Sequence, residues 1–237
     1  MEVLESITSY VENMKGSMPL CEYHKDTLEK ETLEILYAYC NDTEPLMNMN
    51  EIDSDFFDKF LIYWLPKNQS RLKASEIYEV LKGVGGYCTY IQRTYNTPNL
   101  GGYEVMKVYK KECLRIYQLK GLLLKHLNDP ILNTNPLVVD FNAYRHYKTR
   151  KATNLKHGVY QQGLFEVMEI DYDNTVVFRR LPRGNCVRVM LTDSLVTYMK
   201  KGDILHLRIK QKQFFSFWEI EEIKNCYLSK ASQYLKN

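Results

Sequence analysis

The sequence predicts an α+β protein of two domains, in which an α-helical N-terminal domain of about five helices precedes a small five-stranded antiparallel β-barrel. Up to about residue 127, apolar residues recur at intervals of three and four, which is the period of an amphipathic helix. After about residue 158 they alternate in short runs separated by turn residues, which is the pattern of a small barrel. The length of 237 residues is sufficient for two hydrophobic cores.

The helical part contains five periodic segments, at about residues 1–15, 26–40, 53–65, 75–91 and 103–127. Pro66 is expected to end the third segment because proline removes a backbone donor. The fourth segment contains Gly83, Gly85 and Gly86. A phosphate-binding loop would need a preceding strand and a following Lys-Ser/Thr pair, and neither is found here. We therefore expect these glycines to permit close packing between helices.

The strand-rich part contains five alternating runs, at about residues 159–171, 175–181, 186–191, 204–210 and 214–223, with one helical turn at 193–199. Turn residues separate the first three runs, at Asp173-Asn174 and at Pro182-Arg183-Gly184. A closed barrel would remove the exposed edges of these short strands. An OB-like and an SH3-like barrel both fit this spacing, and the period does not choose between them.

Charge is distributed unevenly along the chain. Residues 1–58 contain three lysines and fourteen acidic residues, for a net charge of −11, whereas residues 141–237 have a net charge of +8. The basic half either binds a polyanion or is neutralised by the acidic arm of the same chain. We divide the chain into a helical domain at 1–128, a basic linker at 129–157 and the barrel with a short C-terminal helix at 158–237. Within the helical domain, 1–50 is the acidic arm and 51–128 the helical core.

Part of the helical domain resembles a known family. The pattern Phe56-Phe57…Phe60-Leu61…Trp64-Leu65, then Ser75-Glu76-Ile77…Val80-Leu81…Tyr90-Ile91 and a further long helix, resembles the SAM-like core-binding domain of tyrosine recombinases over about residues 53–127. The Arg…His-x-x-Arg…Tyr array of the recombinase catalytic domain is not found in the sequence, and strands follow instead. The resemblance therefore implies a helical domain able to grip DNA backbone, without recombinase activity.

The candidate binding site combines the basic linker with the basic residues of the barrel. Positive charge interleaved with aromatic rings is typical of proteins that hold phosphates and stack bases. The alternative is a solvated linker, or a strap paired to the acidic arm. The candidate nucleic-acid-binding residues are Tyr144, Arg145, Tyr147, Lys148, Arg150, Lys151, Lys156, Arg179, Arg180, Arg183, Arg188, Arg208 and Lys210.

No residue is predicted to be catalytic, to bind a cofactor or to bind a metal. The six cysteines form no C-x-x-C pair, so we expect reduced, mostly buried thiols. Trp218 is expected in the barrel core, and Glu219, Glu221 and Glu222 beside it are interpreted as structural. The N-terminus lacks the features of a signal peptide and no apolar run is long enough to span a membrane. We expect a cytoplasmic protein, and the abundance of Tyr, Lys and Asn hints at a bacterial source.

Three functional hypotheses follow. The first is a non-enzymatic binding or regulatory protein whose partner is DNA or RNA. The second is an adaptor that binds another protein or itself through its dipolar charge. The third is an enzyme with a site at the domain junction.

Overall fold

A computed structural model describes residues 2–16, 23–43, 48–49, 52–95, 102–128, 159–211 and 216–235. These residues form helices and a five-stranded sheet, which confirms the predicted α+β class. They divide into two compact units, Met1–Leu114 and Arg115–Asn237. The division falls within the helix Gly102–Asn128, so residues 115–128 of that helix belong to the unit that contains the strands.

The first unit is helical, as predicted. Its elements are α1 (Val3–Gly16), α2 (Tyr23–Thr43), α3 (Ser54–Asp58), α4 (Leu65–Asn68), α5 (Ala74–Tyr95) and the first half of α6 (Gly102–Asn128). Asp53 caps α3 by accepting a hydrogen bond from the Phe56 N–H at 2.9 Å. The core includes Leu36, Tyr39, Phe57, Phe60, Leu61, Ile77 and Val84. Among the described helices, none has the length and apolarity needed to cross a membrane.

Pro66 does not end the third predicted helix, and the prediction is wrong at this point. A π-helical segment, Lys59–Trp64, joins α3 to α4, and helix continues to Asn68. The Leu65 N–H donates to the carbonyl of Phe60, five residues back instead of four. Pro66 therefore lies in the first turn of α4, where a missing backbone N–H is tolerated.

Gly83 and Gly86 allow close packing between helices, as predicted. A Cβ atom built on Gly83 would lie 2.6 Å from Cγ2 of Thr32 in α2, and one on Gly86 would lie 2.7 Å from the Tyr10 hydroxyl of α1. The corresponding atom on Gly85 would be 3.7 Å from Met106 Cε, an ordinary contact. Close packing therefore requires glycine at positions 83 and 86 of α5 and not at position 85.

We expect Gly83→Ala to destabilise the first unit by about 1–3 kcal/mol. The overpacking against Thr32 outweighs the gain of up to about 1 kcal/mol that alanine has over glycine in a helix. Gly85→Ala is the matched control in the same helix, and it should be neutral or stabilising. Urea unfolding followed by far-UV circular dichroism measures both, and equal effects of the two variants would contradict the close approach at Gly83.

The second unit contains the sheet. Its strands are β1 (Val159–Ile170), β2 (Thr175–Arg180), β3 (Cys186–Met190), β4 (Ile204–Gln211) and β5 (Trp218–Tyr227). The single-turn helix α7 (Asp193–Val196) lies between β3 and β4, where the sequence predicts one helical turn.

The strand order is β1-β2-β3-β5-β4, and β1 also pairs with β4, so the pairing closes on itself. Four of the pairings are antiparallel, but β3 and β5 run parallel and share the single pair Val189–Trp218. The expectation of a wholly antiparallel sheet is therefore wrong. In a closed ring of five strands, the direction of neighbouring strands cannot alternate all the way around. At least one pair of neighbours must therefore be parallel.

Alternate residues of β1 to β4 form the core of this unit, as the alternating runs of the sequence predict. The buried set is Phe165, Val167, Val176, Phe178, Val187, Val189, Leu205, Leu207 and Ile209. Trp218 at the start of β5 is also buried, as predicted.

The last strand is displaced from its predicted position. It covers Trp218–Tyr227 instead of 214–223, of which 214 and 215 lie outside the described residues. Glu221 and Lys224 are extra residues with no Cα partner in the register between β4 and β5. Such bulges break the period of two, and the buried residues of β5 after Ile220 are consequently Ile223, Cys226 and Tyr227.

Two further segments pack against the strands. A short 3₁₀ helix, Ser229–Gln233, follows β5 and buries Ala231 against Ile204 and Tyr227. In the second half of α6, Arg115 forms a bidentate ion pair with Asp203, with N–O distances of 2.7 and 2.8 Å. Lys120 Nζ also donates to Asn225 Oδ1 of β5 at 3.3 Å.

Candidate nucleic-acid interface

One hairpin of the sheet carries several positive charges and no negative charge. Residues Thr175–Met190, comprising β2, the following turn and β3, contain four arginines and no acidic residue. We call this segment the basic hairpin. Because β2 and β3 are antiparallel neighbours, they bring together Arg179, Arg180, Arg183 and Arg188, all predicted as candidate site residues.

Arg179 is partly neutralised. It points outward from β2, and its Nη2 lies 2.6 Å from the Glu166 carboxylate on the neighbouring β1. The two residues are Cα partners in the sheet, which explains the pairing. Both side chains keep partial exposure, 43% for Arg179 and 25% for Glu166, so this ion pair contributes little to stability.

Arg180 and Arg183 lie at the turn end of the hairpin. Both belong to the exposed surface, and neither has an ion pair with any residue that the structure describes. The turn is tight at Gly184, whose N–H donates to the Arg180 carbonyl at 2.6 Å. A Cβ on Gly184 would lie 2.9 Å from that carbonyl oxygen, so the turn needs glycine and holds both arginines close together.

Arg188 lies toward the opposite end of the hairpin, paired with Val177. It is exposed, and its charge helps to lower the pKa of Asp173, although hydrogen bonds from Thr175 are the larger cause. The carboxylates Asp171, Asp173 and Asp193 occur at this end. The positive potential of the hairpin is therefore concentrated at its turn, near Arg180 and Arg183.

Arg208 and Lys210 do not join this group. They lie on β4, which pairs with β1 and β5 and not with β2 or β3. Both cations lie over the Tyr160 ring, at 5.0 and 5.2 Å from its centroid, and Arg208 is 2.9 Å from Glu221. A hydrogen bond with Tyr160 raises the pKa of Lys210. These two residues thus belong to a mixed-charge surface with acidic partners.

The remaining candidates lie outside the described residues, and their assignment stays a prediction. They are Tyr144, Arg145, Tyr147, Lys148, Arg150, Lys151 and Lys156.

A groove borders the basic hairpin on the outer surface of the sheet. It has a volume of about 640 Å³ and is lined by Leu164, Glu166, Arg179, Leu181, Pro182, Ser232 and Leu235. Most of this lining comes from β1 and from the residues at the end of β2. Its remaining wall is formed by the C-terminal 3₁₀ helix and the residues that follow it. The sequence did not predict this groove, since Glu166 and Ser232 carry no signal of their own.

Other reactive side chains form no evident site in the part of the chain that the structure describes. No group of three or more His, Cys, Asp or Glu residues there could hold a metal ion. Burial lowers the pKa of His206, with a smaller effect from Lys224. Cys40, Cys88, Cys113 and Cys226 are buried, in line with the prediction, whereas Cys186 on the basic hairpin is exposed.

The comparisons with known proteins add no template for this surface. The chain matches no protein-family model, and its comparison with curated proteins and with solved structures likewise finds no match. What the interface can bind therefore follows from its own charge and shape.

Proposed function

We propose that this protein binds the phosphate backbone of a nucleic acid through the turn end of the basic hairpin. The observation that supports the proposal is the charge of Thr175–Met190, which has four arginines and no acidic residue. Arginine suits phosphate because its guanidinium is always charged and can donate two parallel hydrogen bonds. Arg180 and Arg183 have no ion pair with a described residue. A phosphate that binds them therefore does not have to displace the carboxylate of such a residue.

We also propose that the sheet is a barrel of the OB type. A simple meander would pair β4 with β3, whereas β4 pairs here with β1 and β5. OB folds are five-stranded Greek-key barrels that bind oligonucleotides on strands two and three. This analogy favours the same face as the charge does, but the charge carries the proposal.

The basic linker remains part of the proposal as a second basic segment. Its predicted contacts are Arg145, Lys148, Arg150 and Lys151, with Tyr144 and Tyr147 as stacking rings. A variant with the four basic residues changed to Ala tests this segment separately from the hairpin.

The experiment compares two charge-matched triple variants. The first, Arg180→Gln/Arg183→Gln/Arg188→Gln, removes three charges from the basic hairpin. The second removes three charges from the β4–β5 surface, through Arg208→Gln, Lys210→Gln and Lys224→Gln. Binding of labelled single-stranded and duplex DNA and RNA is measured for each across a range of salt concentrations.

We expect the hairpin variant to bind more weakly, with a shallower dependence of the logarithm of affinity on the logarithm of salt concentration. The slope should fall by about 0.7–0.9 for each phosphate that the variant no longer neutralises. The β4–β5 variant has the same net charge and should keep a slope close to that of the wild type. Equal losses of affinity in the two variants would contradict the placement of the site, and no salt-dependent binding by the wild type would contradict the function itself.

A further inference from the structure

The groove beside the basic hairpin has the composition of a ligand site. Its volume of about 640 Å³ lies within the range of roughly 300–1,000 Å³ that is usual for small-ligand pockets. Leu164, Leu181 and Leu235 provide apolar walls, while the Glu166 carboxylate and the Ser232 hydroxyl provide polar groups. A mainly apolar concavity with a few polar groups is the usual arrangement for recognising a flat, partly polar molecule.

One polar atom beside this groove lacks a partner. Arg179 lines the groove, and its Nε is buried without a hydrogen bond among the described residues, although its Nη2 donates to Glu166. Leaving a buried N–H unpaired is unfavourable. A bound molecule in the groove meets the exposed part of the Arg179 side chain, which is 43% exposed.

The groove and the unpaired arginines share one short stretch of chain. Leu181 and Pro182 line the groove, and Arg180 and Arg183 are their immediate neighbours in the turn. Arg180 shares the strand face of buried Phe178 and pairs with buried Phe165, opposite the face of the groove. A ligand that occupies the groove can therefore place an attached anion on Arg183, which follows Pro182 in the turn. A nucleotide has this layout, because its sugar joins a flat base to a charged phosphate.

We infer that the groove receives an unpaired base of a single-stranded nucleic acid while an adjoining phosphate contacts Arg183. The inference rests on the proposed function and specifies its substrate class. The leucines contact the faces of the base, Arg179 donates to an acceptor on its edge, and Glu166 accepts from an exocyclic amino group or ring N–H. A base in a duplex is already stacked and paired, so it enters such a site only after unpairing.

The test uses the wild-type protein and three oligomers of about twelve nucleotides, within the site size of one small barrel. One is single-stranded oligothymidylate, the second has abasic sugars in its central part, and the third is a duplex. The single strand and its abasic counterpart carry the same phosphates. We expect the abasic oligomer to bind about tenfold more weakly with an unchanged salt slope, and the duplex to bind more weakly than the single strand.

A pair of variants places the effect in the groove. Ser232→Trp fills the groove without changing charge, and we expect it to bind the two single-stranded oligomers equally. Ser229→Trp is the matched control, because Ser229 belongs to the same 3₁₀ helix, is exposed and does not line the groove. It should retain the difference between the oligomers. Thermal unfolding establishes that each variant is folded, and the comparison on the wild type decides the question even if Ser232→Trp does not fold.

Equal binding of the base-containing and abasic oligomers by the wild type would overturn this inference. Salt-dependent binding would in that case still support the proposed function. A difference that persists in folded Ser232→Trp would also overturn it, because the base would then lie elsewhere. If the wild type bound none of the three oligomers, the proposed function would fail together with the inference.

Discussion

Asp203→Ala is expected to destabilise the second unit by about 3–5 kcal/mol, the usual cost of breaking a buried ion pair from one side. The Asp203 side chain is 2% exposed and that of Arg115 is 11% exposed. Their two hydrogen bonds, at 2.7 and 2.8 Å, form the parallel bidentate pattern that suits a guanidinium and a carboxylate. Removing the carboxylate leaves the guanidinium without the partner that accepts its two parallel hydrogen bonds.

A double-mutant cycle separates the ion pair from the other bonds of the two residues. Asp203 also accepts from the Lys200 N–H at 2.8 Å, and Arg115 donates to the Tyr198 carbonyl at 2.5 Å. Asp203→Ala loses the bond from the Lys200 N–H, and Arg115→Met loses the bond to the Tyr198 carbonyl, each in addition to the ion pair. Arg115→Met/Asp203→Ala should be clearly less destabilised than the sum of Arg115→Met and Asp203→Ala, because no charge is left buried alone.

The measurement is urea-dependent hydrogen exchange of peptides from β1, β4 and β5, which reports on the second unit alone. Glu221→Ala provides the control. Its partner Arg208 is at 2.9 Å, but the two side chains are 38% and 44% exposed, so the loss of stability should be about 1 kcal/mol or less. An equal loss for Asp203→Ala and Glu221→Ala would mean that burial of the Arg115 pair does not matter.

This ion pair also shows what the sequence does not reveal. Arg115 and Asp203 are separated by 88 positions, and neither lies in a motif that suggests a partner. Arg115 follows the helical period of α6, and Asp203 follows a Lys-Gly turn. Only the packing of a helix against the strands brings them together, and local periodicity contains no information about that packing.

The strand faces were predictable because alternation is a local property. Phe165, Val167, Leu205 and Leu207 are buried, as the period of two requires. The prediction failed for β5, where Glu221 and Lys224 are inserted as bulges. A bulge depends on the neighbouring strand as well as on the residues that form it, so the period of the sequence does not reveal where the bulges lie.

The order of the strands was less accessible than their faces. The pairing of β1 with both β2 and β4 depends on contacts between distant parts of the chain. The number of strands nevertheless excludes one arrangement, because a closed ring of five strands cannot be wholly antiparallel. The parallel pair of β3 and β5 is a consequence of closure with an odd number of strands.

For the candidate site, composition identified the arginines but not their partners. The period places Arg179 and Glu166 on strand faces, yet only the register makes them Cα partners. The same limit applies to Arg208, whose carboxylate partner Glu221 lies on β5. What distinguishes Arg180 and Arg183 is therefore the absence of such partners among the described residues, a property of the folded chain.

Phe178→Ala is expected to destabilise the second unit by about 3–5 kcal/mol, the usual cost of truncating a fully buried phenylalanine. Phe178 is 0% exposed and is the Cα partner of Val167 on β1 and of Val187 on β3, which are both buried. Deleting the ring leaves a cavity between three strands. Because those strands are held in a closed ring of pairings, they cannot easily collapse into the space.

Val177→Ala tests the register of the same strand. Val177 is the preceding residue, points to the outer face and is only partly buried, so its truncation should cost about 1 kcal/mol or less. A slip of one residue in β2 would exchange the two faces and reverse the order of the two effects. It would also turn Arg179 inward and Arg180 outward. Comparable losses of stability for Phe178→Ala and Val177→Ala, measured by exchange of β1 and β3 peptides, would therefore contradict both the core and the outward placement of Arg179 beside the groove.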